Sequence, residues 1–160
     1  MTTPRVIAVL NELLAAEGSN LLPYLANCTT FISWASADDV DLVQGMVDEE
    51  QEHLEWLVQL ILDLRGSPGP RTGAIEAGSL HYVELHTLLP RIEQAETRVL
   101  ARYEAAAGAV AGEPRAAALV SRIADRHRAH LDELRRLIQR HSHDKGSVAP
   151  TQPSGSSPGR

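Results

Sequence analysis

The chain has 160 residues, of which 43% are hydrophobic and 4% aromatic, which is enough for one domain with a buried core. Alanine and leucine are abundant and strand-forming residues are few, so the composition favours helices. The formal net charge is −6 and no run of lysine or arginine forms a basic stripe, which argues against a nucleic-acid partner. No stretch approaches the roughly 18 apolar residues of a membrane span, and Cys28 has no second cysteine to pair with.

Helical periodicity extends over most of the chain. Apolar residues recur at steps of three and four in four long segments separated by glycine, proline and polar stretches, which predicts amphipathic helices. The predicted helices span about residues 5–34, 37–66, 79–107 and 114–141. Pro23 is expected to kink the first helix, and Pro114 suits the first turn of the fourth.

The connections between these helices differ in length. The breaker-rich stretch Gly66–Gly73 opens a connection that reaches about residue 79, much longer than the turn between the first two helices. A connection of that length permits a crossover, so we predict an all-α four-helix bundle with a long crossover between helices two and three. From residue 144 onward Gly, Ser, Pro and Thr replace the apolar periodicity. We therefore assign residues 1–143 to the bundle and residues 144–160 to a disordered tail.

The two halves of the chain repeat one another. Glu17 in the first predicted helix precedes a tyrosine by seven positions, and Glu96 in the third does the same at an offset of 79 residues. Asp48–Glu55 in the second helix matches Asp125–Asp132 in the fourth at an offset of 77 residues, and both runs contain His-Leu followed by an acidic residue. Two ordered matches at almost the same offset indicate a duplicated helix pair.

The repeat brings carboxylate and imidazole side chains to equivalent positions of four helices. Glu50 and His53 are spaced i, i+3 and so project from one side of the second helix, and the fourth helix repeats this spacing with two histidines. The repeated glutamates of the first and third helices sit on apolar stripes, where an ionised carboxylate is costly unless it is paired or metal-bound. The candidate metal ligands are Glu17, Glu50, His53, Glu96, His127 and His130. This donor mixture suits iron, manganese or zinc.

Other interpretations stay open at the level of sequence. The Glu-x-x-His pair of the second helix could belong to a solvated acidic face, and the surrounding arginines could make His127 and His130 part of an exposed basic surface. Glu93 lies on nearly the same helix face as Glu96 and competes with it. Glu96 is preferred because Tyr103 follows it at the spacing found in the first helix, and we expect this tyrosine to be a core residue that hydrogen-bonds near the site.

Two stretches of the first half resemble a known family. Leu10–Tyr24 resembles the first helix of bacterioferritins and rubrerythrins, and Asp48–Leu57 resembles their second. In that ferritin-like family the glutamate seven residues before the tyrosine and the Glu-x-x-His pair are iron ligands. The resemblance therefore implies these roles for Glu17, Glu50 and His53.

The second half departs from the family at one ligand position. Glu96 and His130 match the family, but His127 replaces its bridging glutamate. Losing this negative charge should stabilise a diferric pair less and make zinc, copper or a mixed pair more competitive. Gln51 stands where bacterioferritins have a haem-ligating methionine, so haem is not implied. The tail takes the place of the fifth helix that closes ferritin cages, so a 24-subunit shell is not expected.

The resemblance implies a dimetal protein that oxidises Fe(II) or a related substrate with oxygen or peroxide. It also implies a homodimer or larger homo-oligomer, and the tail loosely resembles the cargo peptides that bind an encapsulin shell. Two alternatives are a non-catalytic bundle used for binding or assembly, and a dimetal oxygenase acting on a small organic substrate. A substrate-sized pocket beside the site would favour the oxygenase. The N-terminal residues lack the apolar stretch of a signal peptide, so we expect a cytoplasmic protein.

Overall fold

The structure is a computed structural model that describes residues 3–20, 37–70 and 85–146. Within these ranges the chain forms helices and turns and contains no strand, in agreement with the predicted all-α class. The helices are α1 (Thr3–Gly18), α2 (Ala37–Asp63), α3 (Leu85–Val110) and α4 (Pro114–Gly146). None of the described helices is long and apolar enough to cross a membrane.

Helix α1 is shorter than the sequence predicted. It ends at Gly18 and passes into a turn in which the Asn20 amide donates to the Glu17 carbonyl, so the prediction of one continuous helix to residue 34 is wrong. Glycine, serine and asparagine at positions 18–20 favour helix ends and turns over helix interiors, which explains the early end. The rest of the predicted first helix lies outside the described residues.

The other predicted boundaries lie within a few residues of the observed ones, except at the C-terminal end of the fourth helix, which continues further than predicted. Helix α2 ends in a Schellman-type cap, in which the Gly66 amide donates to the Ile61 carbonyl and Arg65 adopts a φ of 63°. Helix α4 starts at Pro114 as predicted and continues to Gly146, past the expected bundle boundary at residue 143. Helix α3 was expected from about residue 79 and is described from Leu85 onward.

Neighbouring helices run antiparallel, as their contacts show. Between α2 and α4, Asp63 pairs with Arg115 and Asp39 pairs with Arg140, so the end of one helix meets the start of the other. The contacts between α1 and α2, between α1 and α3, and between α3 and α4 show the same pattern. In each pair of helices, later residues of one helix contact earlier residues of the other. Both α2 and α3 are thus antiparallel to α1, and they lie parallel to each other across the bundle diagonal.

This topology requires a crossover. Helix α2 has 27 residues and is therefore about 40 Å long. Because α3 runs parallel to α2, the chain must return the length of the bundle between them. Residues 64–84 can span up to about 70 Å when extended, which is sufficient. The predicted four-helix bundle with a long connection between its second and third helices is confirmed.

The hydrophobic core consists of two clusters separated by a polar layer. The larger cluster contains Leu14 of α1, Leu57 of α2, Tyr103 of α3 and Ile123 of α4. The smaller one lies towards the other end of the bundle and is formed by residues of α2, α3 and α4, namely Val43, Met46, Val47, Leu88, Leu89, Ile92, Leu134 and Leu137. On each of these three helices, the residues between the two clusters include the candidate ligands predicted from the sequence.

Candidate metal centre

All six candidate ligands point into the bundle. Each is at most 3% exposed, and the residues are Glu17 of α1, Glu50 and His53 of α2, Glu96 of α3, and His127 and His130 of α4. The i, i+3 spacing places both members of each pair on the buried face of their helix, while the two residues between them reach solvent. The interpretations of these residues as an acidic or a basic surface do not describe the structure.

The six side chains form two overlapping groups of four, in each of which the potential ligand atoms lie within 4.8 Å of one another. The first group is Glu17, Glu50, His53 and His127, and the second is Glu50, Glu96, His127 and His130. Glu50 and His127 belong to both groups. The arrangement therefore has two halves, each with its own glutamate and histidine, and a shared pair between them.

His127 connects the two halves by hydrogen bonds. Its Nε2 lies 2.7 Å from Oε1 of Glu17, and its Nδ1 lies 2.7 Å from Oε2 of Glu96. Because both ring nitrogens face carboxylate oxygens, the ring satisfies both contacts as a doubly protonated imidazolium. Burial lowers the pKa of His127, but its contacts with Glu17 and Glu96 outweigh burial and raise this pKa to about 10.

His130 is oriented by a carboxylate at the surface. Its Nε2 lies 2.8 Å from Oε2 of Glu49, and the guanidinium of Arg126 donates to both oxygens of the same carboxylate. The other ring nitrogen, Nδ1, lies 3.3 Å from Oε1 of Glu50 and 3.4 Å from Oε2 of Glu96. A carboxylate that holds one nitrogen of a histidine leaves the other free to act as a ligand, an arrangement common around protein-bound metals.

Two further buried groups contact the carboxylates. The hydroxyl of Tyr103 donates to Oε1 of Glu17 at 2.7 Å, as expected for a core tyrosine near the site. The side-chain amide of Asn20 donates from Nδ2 to Oε1 of Glu96 at 2.5 Å and to Oε2 of Glu50 at 3.3 Å. Neither Asn20 nor Glu49 was predicted from the sequence as part of the site. Asn20 lies three residues after Glu17, a spacing that could have indicated a polar neighbour.

The three glutamates differ in their affinity for protons. Burial raises the pKa of Glu17, but contacts with Glu50, His127 and His53 outweigh it and hold this pKa well below the usual value. Burial and the negative charges of Glu17 and Glu96 raise the pKa of Glu50 well above the usual value. Glu96 has a lowered pKa, since contacts with His127 and His130 outweigh its burial. Without metal, Glu50 is therefore the one of the three carboxylates with the highest affinity for a proton.

The residues fit a metal pair. Several buried atoms that could bind a metal have no hydrogen-bond partner among the described residues. They are Oε2 of Glu17, Oε1 of Glu50, both ring nitrogens of His53 and Nδ1 of His130. Unpaired buried polar atoms are rare in proteins and call for an explanation such as a bound ion. Atoms that bind one metal at about 2.0–2.2 Å lie roughly 3 Å from each other. The contacts of 2.7–3.8 Å between the nitrogens and carboxylate oxygens here have that spacing.

The structure distinguishes between the competing glutamates of α3. Glu96 points into the cluster, whereas Glu93 is half-buried and its carboxylate accepts a hydrogen bond from Arg135 on α4. The tyrosine that follows Glu17 in the repeat, Tyr24, lies outside the described residues. Other arginines of α4 lie on its outer surface, where Arg122 stacks over a tryptophan ring of α2 at 4.1 Å.

A pocket of about 450 Å³ opens beside the cluster, between α1 and α3. Its polar lining includes Glu12, Ser19, Asn20, Arg98 and Arg102. Asn20 is 2% exposed, and its side chain lies between this pocket and the carboxylates of the cluster. Within the described part of the chain neither arginine forms an ion pair, so the pocket presents two positive charges one side chain away from the candidate ligands.

The fold and the buried cluster define the class of protein that this chain resembles. Its structure is similar to that of a ferritin-like, di-iron-carboxylate protein from Bacillus anthracis strain Ames, with a TM-score of 0.70. The sequences are 22% identical, and the match covers 86% of this chain and 98% of that chain. The chain therefore has the ferritin-like fold that the sequence predicted. No protein-family model and no curated protein sequence matches it.

Proposed function

We propose that the protein binds two metal ions in the polar layer of its bundle, with iron as the leading candidate. The observation that carries this proposal is the pair of overlapping four-residue groups that share Glu50 and His127. Glu17 and His53 would hold one ion, and Glu96 and His130 the other. Manganese, zinc and copper suit the same mixture of oxygen and nitrogen donors.

The surrounding residues determine which ligand atoms are free to bind metal and which must first lose a proton. Glu50 must give up the proton that its raised pKa retains, and His127 must lose N–H protons before a ring nitrogen can act as a ligand. Tyr103 holds one oxygen of Glu17 by its hydroxyl, which leaves Oε2 of that carboxylate free. Asn20 holds Glu96 and Glu50 from the pocket side.

We infer that the metal-loaded protein oxidises Fe(II), or a related substrate, with oxygen or peroxide. A bound pair of redox-active ions supplies the electrons for that reduction. The two hydrophobic clusters above and below the polar layer keep bulk water from the site. The alternative of a non-catalytic bundle with a hydrogen-bonded polar core leaves the unpaired atoms of His53 unexplained.

Metal analysis of the purified protein, followed by aerobic titration with Fe(II), tests this proposal. We expect about two metal ions per chain and oxidation that follows the added iron. Glu50→Ala should lose most of the metal, because it deletes a ligand common to both groups. Glu52→Ala is the matched control, since this glutamate is exposed on the same helix. Equal metal content in the two variants, or none in the wild type, would contradict the proposal.

The pocket beside Asn20 favours a second candidate, a dimetal oxygenase that acts on a small organic acid. Arg98 and Arg102 suit a carboxylate, whereas Fe(II) arriving as a substrate would be repelled by them. Aerobic incubation of the iron-loaded protein with a panel of small carboxylic acids, followed by mass spectrometry, tests this candidate. An oxygenated product that is lost in Arg98→Ala, while Fe(II) oxidation persists, would favour it over metal oxidation.

A further inference from the structure

His127 lies between the two halves of the cluster and offers one nitrogen to each. Nε2 faces Glu17, which belongs to the first group, at 2.7 Å. Nδ1 faces Glu96 of the second group at 2.7 Å and the shared Glu50 at 3.3 Å. Since the ring is completely buried, solvent does not occupy either nitrogen.

An imidazole differs from a carboxylate in how it can bridge. The two oxygens of a glutamate lie close together and can share one ion or span a close pair. The two nitrogens of a histidine point away from each other in the ring plane, so they cannot bind the same ion. A histidine in the shared position with a different group at each nitrogen therefore serves two separate ions.

Each half also has a second imidazole with an unpaired nitrogen. His53 belongs to the first group, its ring centroid lies 5.2 Å from that of His127, and neither of its nitrogens has a hydrogen-bond partner among the described residues. His130 belongs to the second group at 6.0 Å, and its unpaired nitrogen is Nδ1. One nitrogen of His127 with one from its neighbour gives each half two nitrogen donors.

We propose that His127 bridges the two metal ions as an imidazolate, binding one ion through Nε2 and the other through Nδ1. This proposal rests on the dimetal function proposed above. The ring then loses both N–H protons to solvent and carries one negative charge, which equals the charge of the glutamate that it replaces. His127 thereby supplies a shared negative charge that a neutral histidine at this position would lack.

The bridge sets the distance between the ions. Metal–nitrogen bonds of about 2 Å at either end of the ring place the ions about 6 Å apart. Dimetal sites of the usual kind hold their ions about 3.5–4 Å apart. The nitrogen-rich ligand set suits zinc and copper as well as iron, since all three bind imidazole, so zinc and copper can serve as probes of the bridge.

A crystal structure of the Zn(II)-loaded full-length protein, with zinc located by anomalous scattering, measures this distance. We expect two zinc ions about 6 Å apart, with the ring of His127 between them. His127→Glu should bring the ions to about 3.5–4 Å, because a carboxylate bridge is shorter. In solution, two equivalents of Cu(II) should give less than the full electron-spin signal of two isolated ions, because an imidazolate bridge couples their spins.

The outcomes separate this inference from the proposed function. Two zinc ions about 3.5–4 Å apart in the wild type, or His127 bound to one ion alone, would overturn the imidazolate bridge and leave the dimetal function standing. Absence of zinc from the cluster would overturn the bridge, and the dimetal function would fall with it only if metal analysis and Fe(II) titration also found no bound metal. The full spin signal of two uncoupled Cu(II) ions at the cluster would also count against the bridge. His143→Gln, a change at an exposed histidine of the same helix, controls for copper bound at the surface.

Discussion

Removing the hydrogen bond from Tyr103 to Glu17 should lower the thermal stability of the metal-free protein more than that of the metal-bound protein. Tyr103 is fully buried and donates its hydroxyl to Oε1 of Glu17 at 2.7 Å. Tyr103→Phe keeps the ring and removes the hydroxyl, so a buried carboxylate with a lowered pKa loses a donor. Hydrogen bonds to charged groups contribute about 1.5–3 kcal/mol. For a chain of this size, that corresponds to a Tm lower by roughly 3–12 °C.

Thermal unfolding followed by circular dichroism, with and without bound metal, is the assay. The loss should be smaller in the metal-loaded protein, because the ion then balances the charge of Glu17. Thr97→Val is a control on the same helix, since it removes an exposed hydroxyl that bonds to the carbonyl of Glu93, and such changes stay within about 0.5 kcal/mol. An unchanged Tm for metal-free Tyr103→Phe, or an equal loss in both states, would refute the reasoning.

Three further predictions follow from the protonation of the cluster. Glu50→Gln should raise the Tm of the metal-free protein, because the amide resembles the neutral, protonated carboxyl. It should also abolish binding of the metal pair, because the amide cannot become a carboxylate. A lower metal-free Tm would contradict this prediction. Denaturant unfolding of the metal-free protein should show stability falling as pH rises from about 6.5 to about 10, because the raised pKa of His127 keeps its proton in the folded state. His127→Gln should reduce this slope, and the raised pKa values of His130 and Glu50 account for what is left. Glu49→Gln should weaken metal binding through His130 about 10–100-fold in equilibrium dialysis, whereas Glu133→Gln should not.

The pH dependence of metal binding follows from the same groups. Protons on Glu50 and His127 compete with metal for the same atoms. As pH falls, the metal-free form therefore becomes more stable relative to the metal-bound form. The rise in Tm caused by metal should therefore increase between pH 6 and pH 8, which a pair of thermal scans at each pH measures. A rise in Tm that does not change with pH would show that neither proton is displaced.

Most of the fold and the positions of the candidate ligands could be predicted because both depend on helical spacing. The apolar residues of α2, α3 and α4 repeat at three- and four-residue steps, and so do the pairs that begin at Glu50 and His127. A residue on the buried face of one helix must face the other helices of a bundle. Chain position alone therefore brings the six side chains to one interior.

The groups that support the ligands could not be predicted in this way, because their partners are on other helices. Glu49 is half-buried at the edge of α2, and its role is evident from the positions of His130 and Arg126 on α4. Asn20 lies beyond the end of α1, at a point where the sequence indicated continuing helix. Predicting these contacts requires the angle and height of packed helices, which periodicity does not supply.

The polar layer also lowers the stability of the metal-free bundle. A layer of Glu17, Glu50, Glu96 and their histidines between two hydrophobic clusters buries charge where apolar side chains would pack without penalty. The metal-free protein reduces this penalty by keeping a proton on Glu50 and by placing the His127 imidazolium between two carboxylates. Both devices place positive charge or a proton where the metal ions would otherwise lie. Binding of the proposed metal pair would therefore exchange protons for metal in a layer whose charges are already arranged, and its free energy would add to the stability of the fold.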